Sequence, residues 1–372
     1  MKIEPFALER FFAEHEFSAQ HVLCASDCET FSLAELLAME PGAAEAFSAL
    51  RLGYTETAGG AGLRRQIASL YEGISADDVL VFSGAEEAIF VFMNAALRAG
   101  DHVLVHSPCY QSLGSVAAAA GCRVTGWQTE AGSGWEIDPA DLSALASGDT
   151  RAIVVNFPHN PTGYLPDKDR FAAVVEFARR RGLLLFSDEV YRFLEYDAAD
   201  RLPAACEIYE RGVSLGVMSK SFGLAGLRLG WVACRDRSVL RAMAALKDYT
   251  TICAAAPSEF LAALALRRRD GILARNREII RGNLALLDAF FARHEGLFSW
   301  QRPRAGPVAF PAVRFATASE EFCAGLLREH GVLLAPGLLF GAEAQHFRIG
   351  FGRRDFRRGL EVVSDYVRER PA

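Results

Sequence analysis

A lysine stands where an apolar, strand-like run ends. Residues 213–218 read V-S-L-G-V-M, Ser219 and Lys220 follow, and a glycine-punctuated loop from Gly223 to Gly230 leads into a second strand-like run over 229–234. Open α/β sheets bind ligands just beyond the carboxyl ends of their strands. A lysine placed there and walled by Met218, Phe222 and Leu224 is partly desolvated, which lowers its pKa from roughly 10.4 and frees the amine to attack a carbonyl and form a Schiff base. A lone lysine is more often a solvated surface residue. This chain, however, writes its cations as arginine almost everywhere, and Lys2, Lys168, Lys220 and Lys247 are its only lysines. An arginine stays protonated and cannot form an imine, so a lysine kept at 220 points to amine chemistry.

Four other strand-like runs end in residues that one ligand at the carboxyl edge of the sheet would collect. After V-L-V-F come Ser83-Gly84-Ala85-Glu86 and a helix, whose free N–H groups and dipole suit a phosphate; a plain strand-to-helix turn has the same spelling. After H-V-L-V-H come Ser107-Pro108-Cys109-Tyr110, where the tyrosine ring serves either a stacked ligand or the core. After A-I-V-V-N-F come Pro158-His159-Asn160-Pro161-Thr162-Gly163, of which turn chemistry accounts only for the Asn-Pro and Gly features. After L-L-L-F-S come Asp188-Glu189-Val190-Tyr191. An acid ending an apolar strand is costly unless it is paired or caps a helix.

The elements that must carry these residues alternate. From Val79 the chain runs strand then helix repeatedly, with helices expected over 85–97, 111–120 and 169–181, which implies a mostly parallel sheet with helices on both faces. Upstream, 6–16 has helical spacing, and Ser32-Leu-Ala-Glu35 is a capping-box spelling for another short helix. Past Pro257 the pattern becomes α+β: helices over 258–268, 271–291, 319–330 and 355–369, with short strands around 308–313, 332–334 and 347–351. Gly60 and Gly62 do not make a dinucleotide fingerprint, because no strand precedes them and the last glycine is missing.

Composition narrows the class further. The 372 residues suffice for a large α/β core and a smaller second unit, and a net charge of −6 gives no reason to expect nucleic acid or an anionic membrane as partner. Eight cysteines spread from Cys24 to Cys323, without zinc spacing, read as free thiols and not as a disulfide framework or a metal site. The first ten residues contain acids and no apolar signal core, and no apolar run approaches the roughly 20 residues that span a bilayer. A cytoplasmic protein is expected.

The strings S-K-S-F-G-L-A-G-L-R-L-G around Lys220 and N-F-P-H-N-P-T-G around Asn160 closely resemble those of pyridoxal-phosphate-dependent aminotransferases of fold type I, class I/II. The resemblance covers nearly the whole chain and implies an α/β fold: a large cofactor-binding domain over 46–275 with a mostly parallel, seven-stranded-type sheet, and a small α+β domain over 276–372 that the segment 1–45 joins. It implies pyridoxal 5'-phosphate as cofactor and Lys220 as its Schiff-base lysine. Gly84, Ala85, Ser219 and Arg228 would hold the cofactor phosphate and Tyr110 would stack on the ring. Asn160 and Tyr191 would share the phenolic oxygen, and Asp188 would keep the pyridine nitrogen protonated. Arg348, in H-F-R-I-G-F, would grip the α-carboxylate of an amino-acid or 2-oxo-acid substrate, beside Asn160. Tyr54, in Y-T-E-T-A-G-G, would reach across a homodimer to the neighbouring phosphate.

Two departures from the family stand out. Val217 replaces a serine that many members carry three residues before the lysine, which leaves Ser219 alone at that corner. The loop Ser26-Asp27-Cys28-Glu29 is more acidic than usual and suggests substrates with a basic side chain. Transamination between an L-amino acid and a 2-oxo acid is the expected reaction. The same cofactor also serves β-elimination, as in carbon–sulfur lyases, and cyclisation of the capreomycidine synthase kind, which these motifs do not separate.

Overall fold

The computed structural model describes residues 2–315, 317–342 and 344–368. Its centre is a seven-stranded sheet built from β1 (Val79–Phe82), β2 (His102–Ser107), β3 (Arg123–Gln128), β4 (Thr150–Asn156), β5 (Leu184–Asp188), β6 (Gly212–Val217) and β7 (Gly230–Cys234). The order across the sheet is β1-β7-β6-β5-β4-β2-β3. All neighbours pair in parallel except β7, which runs antiparallel to both β1 and β6.

The sheet's central strands are near-continuous apolar runs because both faces are covered. Side chains alternate between the faces. Val103, Val105, Ala152, Val154, Leu184 and Phe186 join one core with the helix Ala85–Ala95, whose Phe92 ring lies 4.5 Å from that of Phe186. Leu104, Ile153, Val155 and Leu185 point the other way, into a core shared with the helix Lys168–Arg181. Each fully buried phenylalanine or leucine of this kind stabilises the fold by about 1.5–3 kcal/mol. That holds the strand ends, and whatever they carry, in fixed register.

Most expected elements appear with shifted ends. Ser32 caps the helix Leu33–Leu37 in a complete capping box with Glu35. The helix expected over 111–120 spans Ser112–Ala119. Gln111 lies outside it and uses its side chain elsewhere: its Oε1 accepts from the Ala7 backbone at 2.9 Å and its Nε2 donates to the Pro5 carbonyl at 3.0 Å, tying down the amino-terminal helix Ala7–His15. The strand expected over 229–234 begins at Gly230, and the long helix expected over 271–291 runs Arg269–Arg293. The last helix is Phe356–Arg368; Glu369, its expected end, lies outside the described residues.

The amino-terminal segment crosses to the carboxy-terminal one. His21–Val22 pairs in parallel with Val332–Leu333, and the Gly350 N–H donates to the Leu23 carbonyl at 2.7 Å. A Cβ at Gly350 would collide with the backbone of Ala25, so only glycine lets these segments touch. Gly350→Ala therefore costs at least about 1–3 kcal/mol through overpacking. Gly282, on the long helix with open space around its Cα, gains up to about 1 kcal/mol on replacement by alanine. Urea unfolding of the two variants checks both signs; equal midpoints would refute the close approach at Gly350.

Candidate active site

Because six strands run one way, their carboxyl ends share one edge of the sheet, and the single antiparallel strand adds its amino end to the same edge. Asn156 and Asp188 end β4 and β5, Lys220 follows β6 by three residues, Gly84 follows β1 by two, and Arg228 stands two residues before β7. Between this edge and the crossing amino-terminal segment lies a cavity of about 370 Å³. Ala85, Tyr110, Asn160, Asp188, Tyr191, Ser219, Lys220 and Arg228 line it from the sheet side, and Glu9, Phe12, Glu16, Ser26, Asp27 and Arg353 close it.

Hydrogen bonds lock the polar groups. Lys220 Nζ donates to Ser26 Oγ at 2.7 Å, and the Tyr191 hydroxyl donates to the Ser26 carbonyl at 2.9 Å. Arg348 is fully buried, with Nη1 on Asn160 Oδ1 at 3.0 Å and Nη2 on the Cys24 carbonyl at 2.7 Å, while its Nε has no partner. Asn160 is fixed from below, its N–H on Asn156 Oδ1 at 2.7 Å. The Tyr110 hydroxyl donates to Glu9 Oε1 at 2.9 Å.

Electrostatics separate this edge from the rest of the sheet. Burial pulls the Lys220 amine below its ordinary value; Asp27 works against that and Arg348 with it. Burial pushes the Asp188 carboxyl up to about 7, against a hydrogen bond of 3.1 Å from the Val190 N–H to its Oδ1. Burial likewise raises Glu86 to about 7 and raises Glu16, where Asp27 and Glu9 add repulsion.

One corner is positive. Gly84 (φ 94°) opens the helix Ala85–Ala95, and a Cβ there would stand 2.7 Å from Arg228 Nη2. Arg228 itself has left-handed backbone, φ 45°. A guanidinium pressed against a helix amino terminus leaves positive charge that an anion would neutralise.

A family profile described as aminotransferase class I and II matches residues 21–357. The chain belongs to that family. Among similar proteins, capreomycidine synthase of Streptomyces vinaceus is 30% identical over 362 residues, 96% of this chain and 92% of that one. A pyridoxal-phosphate-dependent aminotransferase from Streptococcus suis 89-1591 superposes with a TM-score of 0.94 at 32% identity, over 100% of both chains. The pyridoxal-phosphate-dependent cyclase OrfR superposes with a TM-score of 0.90 at 34% identity, over 100% of this chain and 99% of that one. The enzyme is a pyridoxal-phosphate-dependent aminotransferase, and pyridoxal 5'-phosphate is its cofactor.

The aminotransferase's own residues fit that group at both ends. The glycine-built positive corner at Gly84 and Arg228 suits a phosphate. At the floor, Asp188 is a buried acid whose pKa burial raises, an environment that a protonated ring nitrogen would complement. Of the residues singled out from sequence, Ala85, Tyr110, Asn160, Asp188, Tyr191, Ser219, Lys220 and Arg228 meet in the cavity. Gly84 borders it through Arg228, and Arg348 joins it through Asn160. Tyr54 lies apart, 92% exposed.

Sequence reasoning missed Ser26 as the partner of Lys220, and Glu9, Glu16, Glu86 and Arg353 as lining residues. Glu9 and Glu16, seven apart along the amino-terminal helix and its end, share a helical face, a signal that was present; nothing in the sequence tied Ser26 or Arg353 to Lys220. The acidic loop behaves differently from expectation. Asp27 is gripped by Arg353 through two contacts of 3.0 Å, and Glu29 accepts the Arg354 N–H at 2.8 Å.

The raised Asp188 pKa sets a pH dependence. Between about pH 4 and 7 the unfolded chain releases this proton while the folded chain keeps it, so stability falls as pH rises through that window. Below the window the two states do not differ, and above it the penalty is complete, at most about 4 kcal/mol. Stripped of cofactor, Asp188→Asn should therefore unfold at higher urea than wild type at pH 8 and at equal urea at pH 4. Restoring pyridoxal phosphate should reverse the order at pH 8. A difference independent of pH would refute the assignment.

Proposed function

We propose that this enzyme takes its amino group from an L-amino acid with a cationic side chain and passes it to a 2-oxo acid, with Lys220 as the reacting amine. The observation that carries the reading is the pairing, in one cavity, of a desolvated lysine and a buried aspartic acid. Bound pyridoxal phosphate supplies the aldehyde that Lys220 captures and the conjugated ring that takes up electrons when the substrate α-proton leaves. Lys220 Nζ, its pKa lowered by burial, takes that proton as base and returns it as acid. Asp188 would hold its negative charge at the ring nitrogen, and the Tyr191 hydroxyl and Asn160 amide would be the donors for the ring oxygen.

Gly84, Ala85, Ser219 and Arg228 would hold the phosphate, and Tyr110 would supply an aromatic face for the ring. Arg348 binds the substrate carboxylate with the donors that Asn160 and Cys24 leave free; a guanidinium fork fixes both its position and its orientation. Its burial against Phe340, 4.8 Å from the ring centroid, supports a rigid clamp. Specificity for a cationic side chain rests on Glu9 and Glu16. Both line the cavity, while Asp27 is already neutralised by Arg353.

The working unit we propose is a cytoplasmic homodimer. Support comes from the exposed apolar residues Leu52, Tyr54, Tyr249 and Ile252, of which Tyr54 would reach a neighbour's phosphate, and from eight free cysteines, most of them buried. Among the described residues no helix is long and apolar enough to cross a membrane. The domain division keeps 46–275 as the large unit and 276–372 as the small one, which 1–45 joins; the pairing of 21–22 with 332–333 supports it.

A second reading, elimination or cyclisation from the same lysine, is supported by the full-length likeness to capreomycidine synthase and to the cyclase. Ammonia and keto acid released without an acceptor would favour it over transamination. Lys220→Ala should lose the borohydride-sensitive visible band of the lysine-bound cofactor and at least about a thousandfold in rate; a variant that keeps the band would refute the lysine's role. In Glu9→Gln/Glu16→Gln, kcat/KM for arginine or ornithine should fall about 10- to 100-fold relative to an apolar donor, as expected when a charge-assisted contact is lost. An unchanged ranking would remove the two glutamates from specificity.

A further inference from the structure

A second cavity, of about 600 Å³, opens on the large sheet's flank and shares no lining residue with the catalytic one. The long helix Arg269–Arg293 supplies Arg269, Asp270, Leu273, Arg277 and Arg281; the loop after β5 supplies Phe193, Glu195 and Arg201. Positions 269, 273, 277 and 281 recur every four residues, so they form one stripe on the helix.

The charges along this stripe do not cancel. Just before this helix, Arg267 and Arg268 both pair with Glu40. Among the described residues no carboxylate comes within ion-pair distance of Arg269, Arg277 or Arg281, and Glu195 is taken by Arg201 at 3.0 Å. The three guanidiniums instead contact only neutral groups, Arg277 and Arg281 once each and Arg269 twice. Arg277 donates to the Phe193 carbonyl at 3.2 Å and Arg281 to the Tyr196 carbonyl at 2.6 Å, while Arg269 reaches Ser69 Oγ at 3.4 Å and the Leu266 carbonyl at 3.2 Å. Each guanidinium has five N–H donors, so most remain free.

Arg269 and Arg277 are also half-buried, where an uncompensated cation is costly. Consistent with that, the Arg277 pKa is lowered, first by burial and then by Arg201 and Arg281. Phe193, on the rim, has left-handed backbone at φ 79°. It is held there by Glu195, which accepts its N–H at 3.1 Å, and by the Arg201 guanidinium 4.9 Å from its ring centroid. A non-glycine residue kept in that conformation beside a cavity is often part of a binding surface.

We propose that this cavity binds a diphosphate-bearing metabolite. Helical rise sets Arg277 and Arg281 about 6 Å apart along the axis and Arg269 about 12 Å further on. Two adjacent phosphates can engage the close pair and Arg201, and Arg269 is left for the far end of the ligand. Guanidinium forks match phosphate oxygens in paired hydrogen bonds. The proposal does not depend on which amino acid the catalytic cavity takes.

The test uses the full chain saturated with pyridoxal phosphate, so that the catalytic phosphate corner is filled, and inorganic pyrophosphate as probe in calorimetry at constant ionic strength. One pyrophosphate should bind per chain, at least tenfold more tightly than sulfate. Arg277→Gln/Arg281→Gln should weaken binding at least tenfold and leave kcat unchanged; Arg269→Gln alone should weaken it less. Sulfate binding as tightly as pyrophosphate, binding untouched by the double variant, or binding lost instead in Arg228→Gln would each overturn the proposal. So would a change of oligomeric state in the double variant, which would assign the stripe to a contact between subunits.

Discussion

The structure depends on keeping a carboxylic acid dry at the end of a buried strand. Asp188 ends β5 with its side chain almost fully buried, and its ionised form gains only one backbone hydrogen bond, from Val190. The adjacent Glu189 is buried too, yet the protein satisfies one of its oxygens from the Ala205 N–H at 2.9 Å and Ser214 Oγ at 2.8 Å, with Arg192 opposing the effect of burial on its pKa. Two neighbouring acids, one ending the strand and one just past it, thus have different fates. One is a structural tie, and the other waits for a charge that the polypeptide does not itself supply.

That arrangement is only as good as the sheet behind it. The strands that carry Asn156, Asp188 and Lys220 are adjacent and parallel, so their ends cannot shift without breaking ladders buried on both faces. The antiparallel strand β7 does the complementary job. By running backwards it brings Arg228 to the carboxyl edge, and the pairing of Phe82 with Gly230 sets that arginine beside the helix turn at Gly84. A Cβ at Gly230 would stand 2.9 Å from the Gly84 carbonyl carbon. Two glycines facing each other therefore fix how closely the positive corner closes, and no side chain could replace either without opening it.

Much of this was legible beforehand. Parallel strands betray themselves as apolar runs, and a polar residue ending such a run has few structural excuses, so Lys220, Asp188 and Asn160 stood out. Strand-to-helix turns made Gly84 and Ala85 visible, and motif spelling added Arg228 and Arg348. The wall opposite the sheet was hidden for a physical reason. Ser26, Asp27 and Arg353 reach the cavity only because 21–22 pairs with 332–333, a contact between segments more than three hundred residues apart that no local pattern announces. The acidity of the 26–29 loop was readable, but its meaning was not. Whether Asp27 faces a ligand or an internal cation is decided by Arg353, which arrives from the far end of the chain.

The crossing segment also makes binding and folding share the same contacts. Cys24 accepts from Arg348, Ser26 accepts from Lys220 and Tyr191, and Asp27 is held by Arg353. Three residues of one four-residue stretch therefore touch groups from the large domain and from the carboxy-terminal segment. A substrate that engages Arg348 and Lys220 binds beside the donors that hold this wall down. Its carboxylate takes the donors that Cys24 and Asn160 leave free on Arg348, and whatever engages Lys220 Nζ must share or displace the Ser26 contact. The wall is thus the element that substrate binding is best placed to move, whereas the sheet edge, buried on both faces, has no freedom to follow.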